Sequence, residues 1–139
     1  MSNVFKSTAL NRIVDTKTAI TILRIIIPLL MIYNHGFFKL TNVLGGNFGF
    51  LDPIGIGAAP SLILATLAEA ICAFLVLIGF WTRGAALIVV LNMAVAMFFQ
   101  DLPADGLPGI ELPLLYLVGF LVILLLGPGK FSVDGMIRS

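Results

Sequence analysis

Residues 61–100 read SLILATLAEAICAFLVLIGFWTRGAALIVVLNMAVAMFFQ. Two apolar runs, Ser61 to Phe80 and Gly84 to Gln100, stand here on either side of a connection of only a few residues. At 1.5 Å per residue each run is roughly 25 to 30 Å long as a helix, close to the thickness of a bilayer's hydrocarbon core. A connection this tight makes the two helices antiparallel neighbours, so they form a hairpin. Working outward, two more runs of comparable length appear at Thr18 to Phe38 and Ile110 to Leu126.

Composition decides what solvent these runs face. Of the 139 residues, 60% are hydrophobic and 11% charged, and mean hydropathy is +1.13. A soluble domain carries about 25% charged residues, and one this small has no interior large enough to bury four such segments. The sequence therefore predicts an all-α, membrane-embedded four-helix bundle, one domain over residues 1–139 with spans at 18–38, 61–80, 84–100 and 110–126. The first run follows a polar segment and exceeds the core of a secretory signal in length, so it reads as a retained anchor. Val4, Phe5, Leu10, Ile13 and Val14 suggest a short surface helix before it. A net charge of +1 with scattered basic residues offers no footprint for nucleic acid.

Lys6, Arg12 and Lys17 precede the first span, Arg83 lies between the second and third, and Lys130 and Arg138 follow the fourth. Asp52, Asp101 and Asp105 fall in the other two loops. The positive-inside rule then expects both termini in the cytoplasm. The outer loop from Thr41 to Pro60 holds five glycines, two prolines, Phe48, Phe50 and Leu51. It is too long for a connector and too apolar to float free, so it is expected to fold over the bundle as a lid. Pro113 suits the first turn of the last span, and Gly127-Pro128-Gly129 ends it.

A charge at membrane depth costs roughly 2.5 to 3.5 kcal/mol on insertion scales, so each one requires a partner or a purpose. Arg24 lies about 9 Å from the cytoplasmic end of the first span and Glu69 about 12 Å from the outer end of the second, with Asn92 between them in depth and Glu111 at the outer rim. Positions 24, 28, 31, 35 and 39 follow helical spacing, which puts Arg24, Pro28, Met31, His35 and Lys39 on one stripe. Arg24, His35, Lys39, Glu69, Asn92 and Glu111 are the candidate polar binding site. For each a plainer reading stands beside this one. Arg24 can snorkel to the headgroups, His35 and Lys39 can anchor the span at the interface, Glu69 can fix helix orientation, and Glu111 can complement a helix dipole. A single histidine precludes bis-histidine haem ligation within one chain, and the single cysteine, Cys72, precludes a cysteine-ligated metal site. Cys72 reads as a small hydrophobe. Gly79 and Gly84 read as points of close helix approach.

The pattern made by Arg24, His35-Gly36-x-x-Lys39, Glu69, Gly79-x-x-x-Arg83, Glu111 with Tyr116, and the closing Gly127-Pro128-Gly129-x-x-Ser132-x-Asp134 resembles the DoxX family of four-span membrane proteins of bacteria and archaea. The likeness runs from about Ala19 to Gly135. It implies a multi-pass protein of the cytoplasmic (inner) membrane and association with redox chemistry, the family name being attached to a membrane subunit of a thiosulfate:quinone oxidoreductase. Relatives often carry a histidine in the outer part of span three, where this chain has Phe99-Gln100-Asp101.

The first functional expectation is a quinone-interacting membrane subunit of a redox enzyme, with no covalently bound cofactor. His35 and Glu69 would donate protons, Lys39 or Arg24 would stabilise the reduced oxygens, and Asn92 would add a hydrogen bond. With no GxGxxG loop and no cysteine pair, electrons would come from a redox partner protein. The alternatives are a non-catalytic membrane scaffold for redox enzymes and a small transporter, the latter disfavoured by the lack of broken helices in inverted repeats. Besides lipid, the partners expected are that redox protein and, as an open option, further copies of the chain.

Overall fold

The computed structural model describes residues 15–138. The surface helix expected between Val4 and Val14 lies outside them. Four helices are long and apolar enough to cross a membrane: α1 (Thr16–Leu44), α2 (Ala58–Ile78), α3 (Thr82–Asp105) and α4 (Leu107–Leu126). A short α5 (Val133–Arg138) follows. Among the described residues there is no strand, and the fold is the all-α four-helix bundle that the hydropathy predicts. Each long helix packs on its chain neighbours, and α4 closes the ring by packing on α1.

Local chemistry sets the ends of these helices. Asp15 caps α1, accepting a 2.7 Å hydrogen bond from the Thr18 N–H. Its pKa falls to about 2, chiefly through hydrogen bonds from Thr18, with help from Lys130. α1 continues past the apolar run that closes at Phe38, because nothing between Lys39 and Leu44 breaks a helix. It stops at Gly45-Gly46, where Gly46 takes φ +76°. α2 stops two residues short of Phe80 because Gly79 adopts a left-handed cap, φ +74°. There is no room for a side chain at Gly79 either, since a Cβ would fall 2.6 Å from an Arg24 guanidinium nitrogen.

Interior and lipid-facing surfaces separate cleanly. Met31, Ala73, Val76, Ala85, Ala86, Val89, Phe120 and Ile123 form the centre of the core, whereas Ile22, Ile25, Ile26, Leu29 and Leu30 of α1 face outward. In lipid, apolar side chains gain little by hiding from the solvent, so close approach of small residues carries more of the packing. Ala73, Ala85 and Ala86, all fully buried, supply it on the α2–α3 hairpin. Gly119 of α4 does the same against Ile27 of α1.

Three of the four long helices are not α-helical throughout. Each contains one π-helical segment: Ile32–Gly36 in α1, Leu67–Cys72 in α2 and Ala96–Asp101 in α3. A π turn holds an extra residue, widens the helix and often marks a functional site.

The end of the bundle that carries the C-terminal segment, here the tail end, is closed tightly. Gly127 (φ +89°) ends α4, and the chain folds back beneath the bundle. The Lys130 N–H donates to the Thr21 hydroxyl at 2.6 Å, and the Asp134 N–H donates to the Gly79 carbonyl at 2.8 Å. Asp134 in turn caps α3. Its carboxylate accepts from the N–H groups of Trp81 and Thr82, both at 2.9 Å, and from the Thr82 hydroxyl at 2.7 Å. Burial opposes ionisation of Asp134, but these bonds outweigh it and hold the carboxyl below its ordinary pKa. Phe80, Trp81 and Phe131 are exposed around this end, the usual place of an aromatic belt at a membrane interface.

Candidate functional site

The opposite end, the loop end, holds a cavity of about 480 Å³. All three π segments reach it: His35 from the first, Ala68 and Glu69 from the second, and Ala96, Gln100 and Asp101 from the third. Gly36 explains how the first two meet. A Cβ there would fall within 2.9 Å of Ala70 Cα and closer still to the Glu69 backbone, so only glycine lets α1 touch α2 at this level. That contact fixes Glu69 against the stripe of α1 that carries His35 and Lys39.

Glu69 is buried, 5% exposed. Lys39 Nζ donates a hydrogen bond to its Oε2, so the two form an ion pair. The Lys39 ammonium also lies 5.8 Å from the centre of the Phe50 ring, in range for a cation–π contact. His35 meets the Tyr116 ring of α4 edge-on, with centroids 5.6 Å apart. Asn92 lines the same space from α3. Most of the remaining wall is apolar. Leu64, Leu91 and Leu112 belong to it while also being about half exposed on the outer surface, so the cavity adjoins the lipid-facing side.

Phe50, Pro53, Ile54 and Ile56 bring the loop between α1 and α2 over the cavity, as a lid. Its second half is anchored through Asp52. That carboxylate accepts from the N–H groups of Ile56 and Gly57, both at 2.9 Å, and from the Ser61 hydroxyl at 3.1 Å. Desolvation works against the charge of Asp52, yet these bonds prevail and its pKa lies below the usual carboxylate value. In the glycine-rich first half, Phe50 is the residue that touches the cavity.

Of the six candidate residues, the cavity unites His35, Lys39, Glu69 and Asn92. Glu111 is exposed just after the 3-10 turn Leu107–Ile110 that opens α4 and does not line it. Arg24 is also elsewhere, and it does not snorkel. It is 1% exposed at the tail end, donating to the Leu77 carbonyl at 2.9 Å and to the Lys130 and Phe131 carbonyls at 3.0 and 3.1 Å. Its Nε is buried and has no hydrogen-bond partner among the described residues. A polar track spanning the bundle from Arg24 to Glu111 is therefore not formed. The tail supplies carbonyls to Arg24, and Lys39 reaches down to Glu69. Gly84 meets the Trp81 ring, and Gly79 meets both Ser132 of the tail and the Arg24 side chain of α1. Gln100, Asp101 and Tyr116 are cavity residues outside the candidate set. Asp101, an acid at the end of an apolar run, was the visible signal for that corner. Cys72 is buried in the core.

Comparison with known proteins adds the family. A model of DoxX matches residues 19–101, more than half of the chain. The chain belongs to the DoxX family. With four helices of membrane-spanning length, this DoxX protein is a multi-pass membrane protein in contact with lipid. It is 32% identical over 122 residues, covering 81% of this chain and 85% of the relative, to an uncharacterized protein of Haemophilus influenzae. No solved structure matches it. The matched region contains α2, the lid, the three π segments and every cavity residue contributed by α1 to α3. The Tyr116 side of the cavity and the tail that holds Arg24 lie beyond it.

Proposed function

We propose that this DoxX protein is a quinone-interacting membrane subunit of a redox assembly, with the loop-end cavity receiving the quinone headgroup. The observation that carries this reading is an apolar cavity of headgroup size, adjoining the lipid side, with the Lys39–Glu69 pair, His35 and Asn92 gathered at one place in it. Ligand sites typically have about 300–1,000 Å³ of largely apolar space with a few convergent polar groups.

Conversion of a quinone to a quinol consumes two electrons, supplied by a reduced partner protein, and two protons. Lys39 sets its positive charge where the reduced oxygen develops negative charge, and the low-dielectric surroundings strengthen that interaction. Glu69 holds Lys39 in place through the ion pair. This differs from the role of proton donor that the sequence suggests for Glu69, because its carboxylate is the acceptor in the pair. His35 is the group left to deliver both protons, one after the other, each replaced from the aqueous loop end. Asn92 orients a headgroup carbonyl by a hydrogen bond. The lid residue Phe50 excludes water above Lys39.

The test is binding of a decyl-substituted benzoquinone to the purified protein in nanodiscs, followed by titration calorimetry. His35→Ala and Glu69→Gln are expected to weaken binding about tenfold or more while thermal unfolding remains cooperative. Binding unchanged in both variants, or absent in the parent, rejects the proposal.

A further inference from the structure

Five titratable side chains face the cavity: His35, Lys39, Glu69, Asp101 and Tyr116. Glu69 is taken up by Lys39. Asp101 is the acid left over, belonging to no ion pair among the described residues. It closes the π segment Ala96–Asp101 and is half-buried, with one side towards the loop end and one towards the cavity. Its backbone is fixed by the start of α4. A Cβ on Gly109 would fall 3.0 Å from the Asp101 carbonyl oxygen and 2.6 Å from Asp105 Cβ, so this glycine packs directly on the end of α3. Asp101 is thus held in the cavity wall through its backbone.

Building on the quinone reading, we infer that Asp101 sets the charge selectivity of the cavity, turning away anionic headgroups and admitting uncharged, carbonyl-bearing rings. One cation faces two carboxylates here, so an arriving anion meets a net negative wall. Repulsion inside a site of low effective dielectric is felt over several ångströms. The lipid side reinforces the choice, because Leu64, Leu91 and Leu112 border an apolar approach in which a charged headgroup is costly. The cavity thus takes its ligand from the bilayer in neutral form, and an ionised analogue of the same shape is excluded.

Two probes with the same alkyl chain separate the outcomes: a neutral benzoquinone and a hydroxynaphthoquinone that is ionised at the assay pH, each titrated into the full chain in nanodiscs. The parent protein is expected to prefer the neutral probe by tenfold or more. Asp101→Asn is expected to shrink that preference by about tenfold, and Asp101→Glu to retain it. A preference unmoved by Asp101→Asn overturns the inference while leaving the quinone site intact. Equal affinity of the parent for both probes also overturns it, whatever the variants do. If neither probe binds the parent, the quinone reading fails and takes the inference with it.

Discussion

Two charges are buried at opposite ends of this bundle, and they are satisfied in different ways. Arg24 is met by three backbone carbonyls, two of them from the returning tail, and the space around it is filled so closely that Gly79 has no room for a methyl group. Glu69 is met by one side chain, Lys39, and beside the pair lies open volume. Backbone acceptors cannot be withdrawn without unfolding a segment, whereas a lysine can turn towards a new partner. The first arrangement is a lock. The second is a site, because its charge can be shared with a ligand.

Substitutions sharpen this contrast. Arg24→Ala should have the largest effect, since three backbone carbonyls lose their donor and the tail loses its anchor. A destabilisation of about 3 to 5 kcal/mol is expected, read as a lower unfolding temperature in detergent. Lys39→Met should cost less, about 2 to 3 kcal/mol, by stranding the Glu69 carboxylate. The second substitution Glu69→Met should then restore stability to within about 1 kcal/mol, because replacing both members of a buried pair by apolar groups is close to neutral. A Lys39→Met/Glu69→Met protein no more stable than Lys39→Met alone would show that the pair is not the self-contained unit described here. No second substitution should rescue Arg24→Ala in the same way.

The smallest effect belongs to Asp134, where Asp134→Asn keeps one acceptor oxygen but loses the charge and the second acceptor, and should cost about 1 kcal/mol at neutral pH. Its folded pKa lies below its unfolded value of about 3.9, so its contribution is fully present above roughly pH 4 to 5. That contribution is lost as pH falls through the folded pKa. Unfolding temperature measured from pH 7 down to pH 3 should thus converge for the parent and Asp134→Asn, the gap closing only below about pH 4.

Much of the fold was legible because hydropathy in a membrane protein reports a simple requirement. Twenty apolar residues in a row have few soluble uses, and the hairpin at Phe80 to Gly84 leaves no alternative to antiparallel packing. The stripe on α1 was legible too: Arg24, Pro28 and Met31 are buried, and His35 and Lys39 face the cavity. Partners were harder to read. Arg24 shares a helix face with His35, but two of its three acceptors come from residues more than a hundred positions away in sequence, and backbone carbonyls leave no mark in a sequence. Tyr116 became a neighbour of His35 only through the ring closure of α4 onto α1. The π segments have no signature in composition, since one extra residue in an apolar run looks like any other.

Those three segments divide each helix into two stretches that are out of phase by one residue. An extra residue of this kind can slip along a helix one position at a time, passing from turn to turn while most of the hydrogen-bond ladder survives. Each step re-aims the side chains it passes by roughly 100°. His35, Glu69 and Asp101 all sit within such stretches. Their directions can change by a local slip of register, with no helix leaving its place in the membrane.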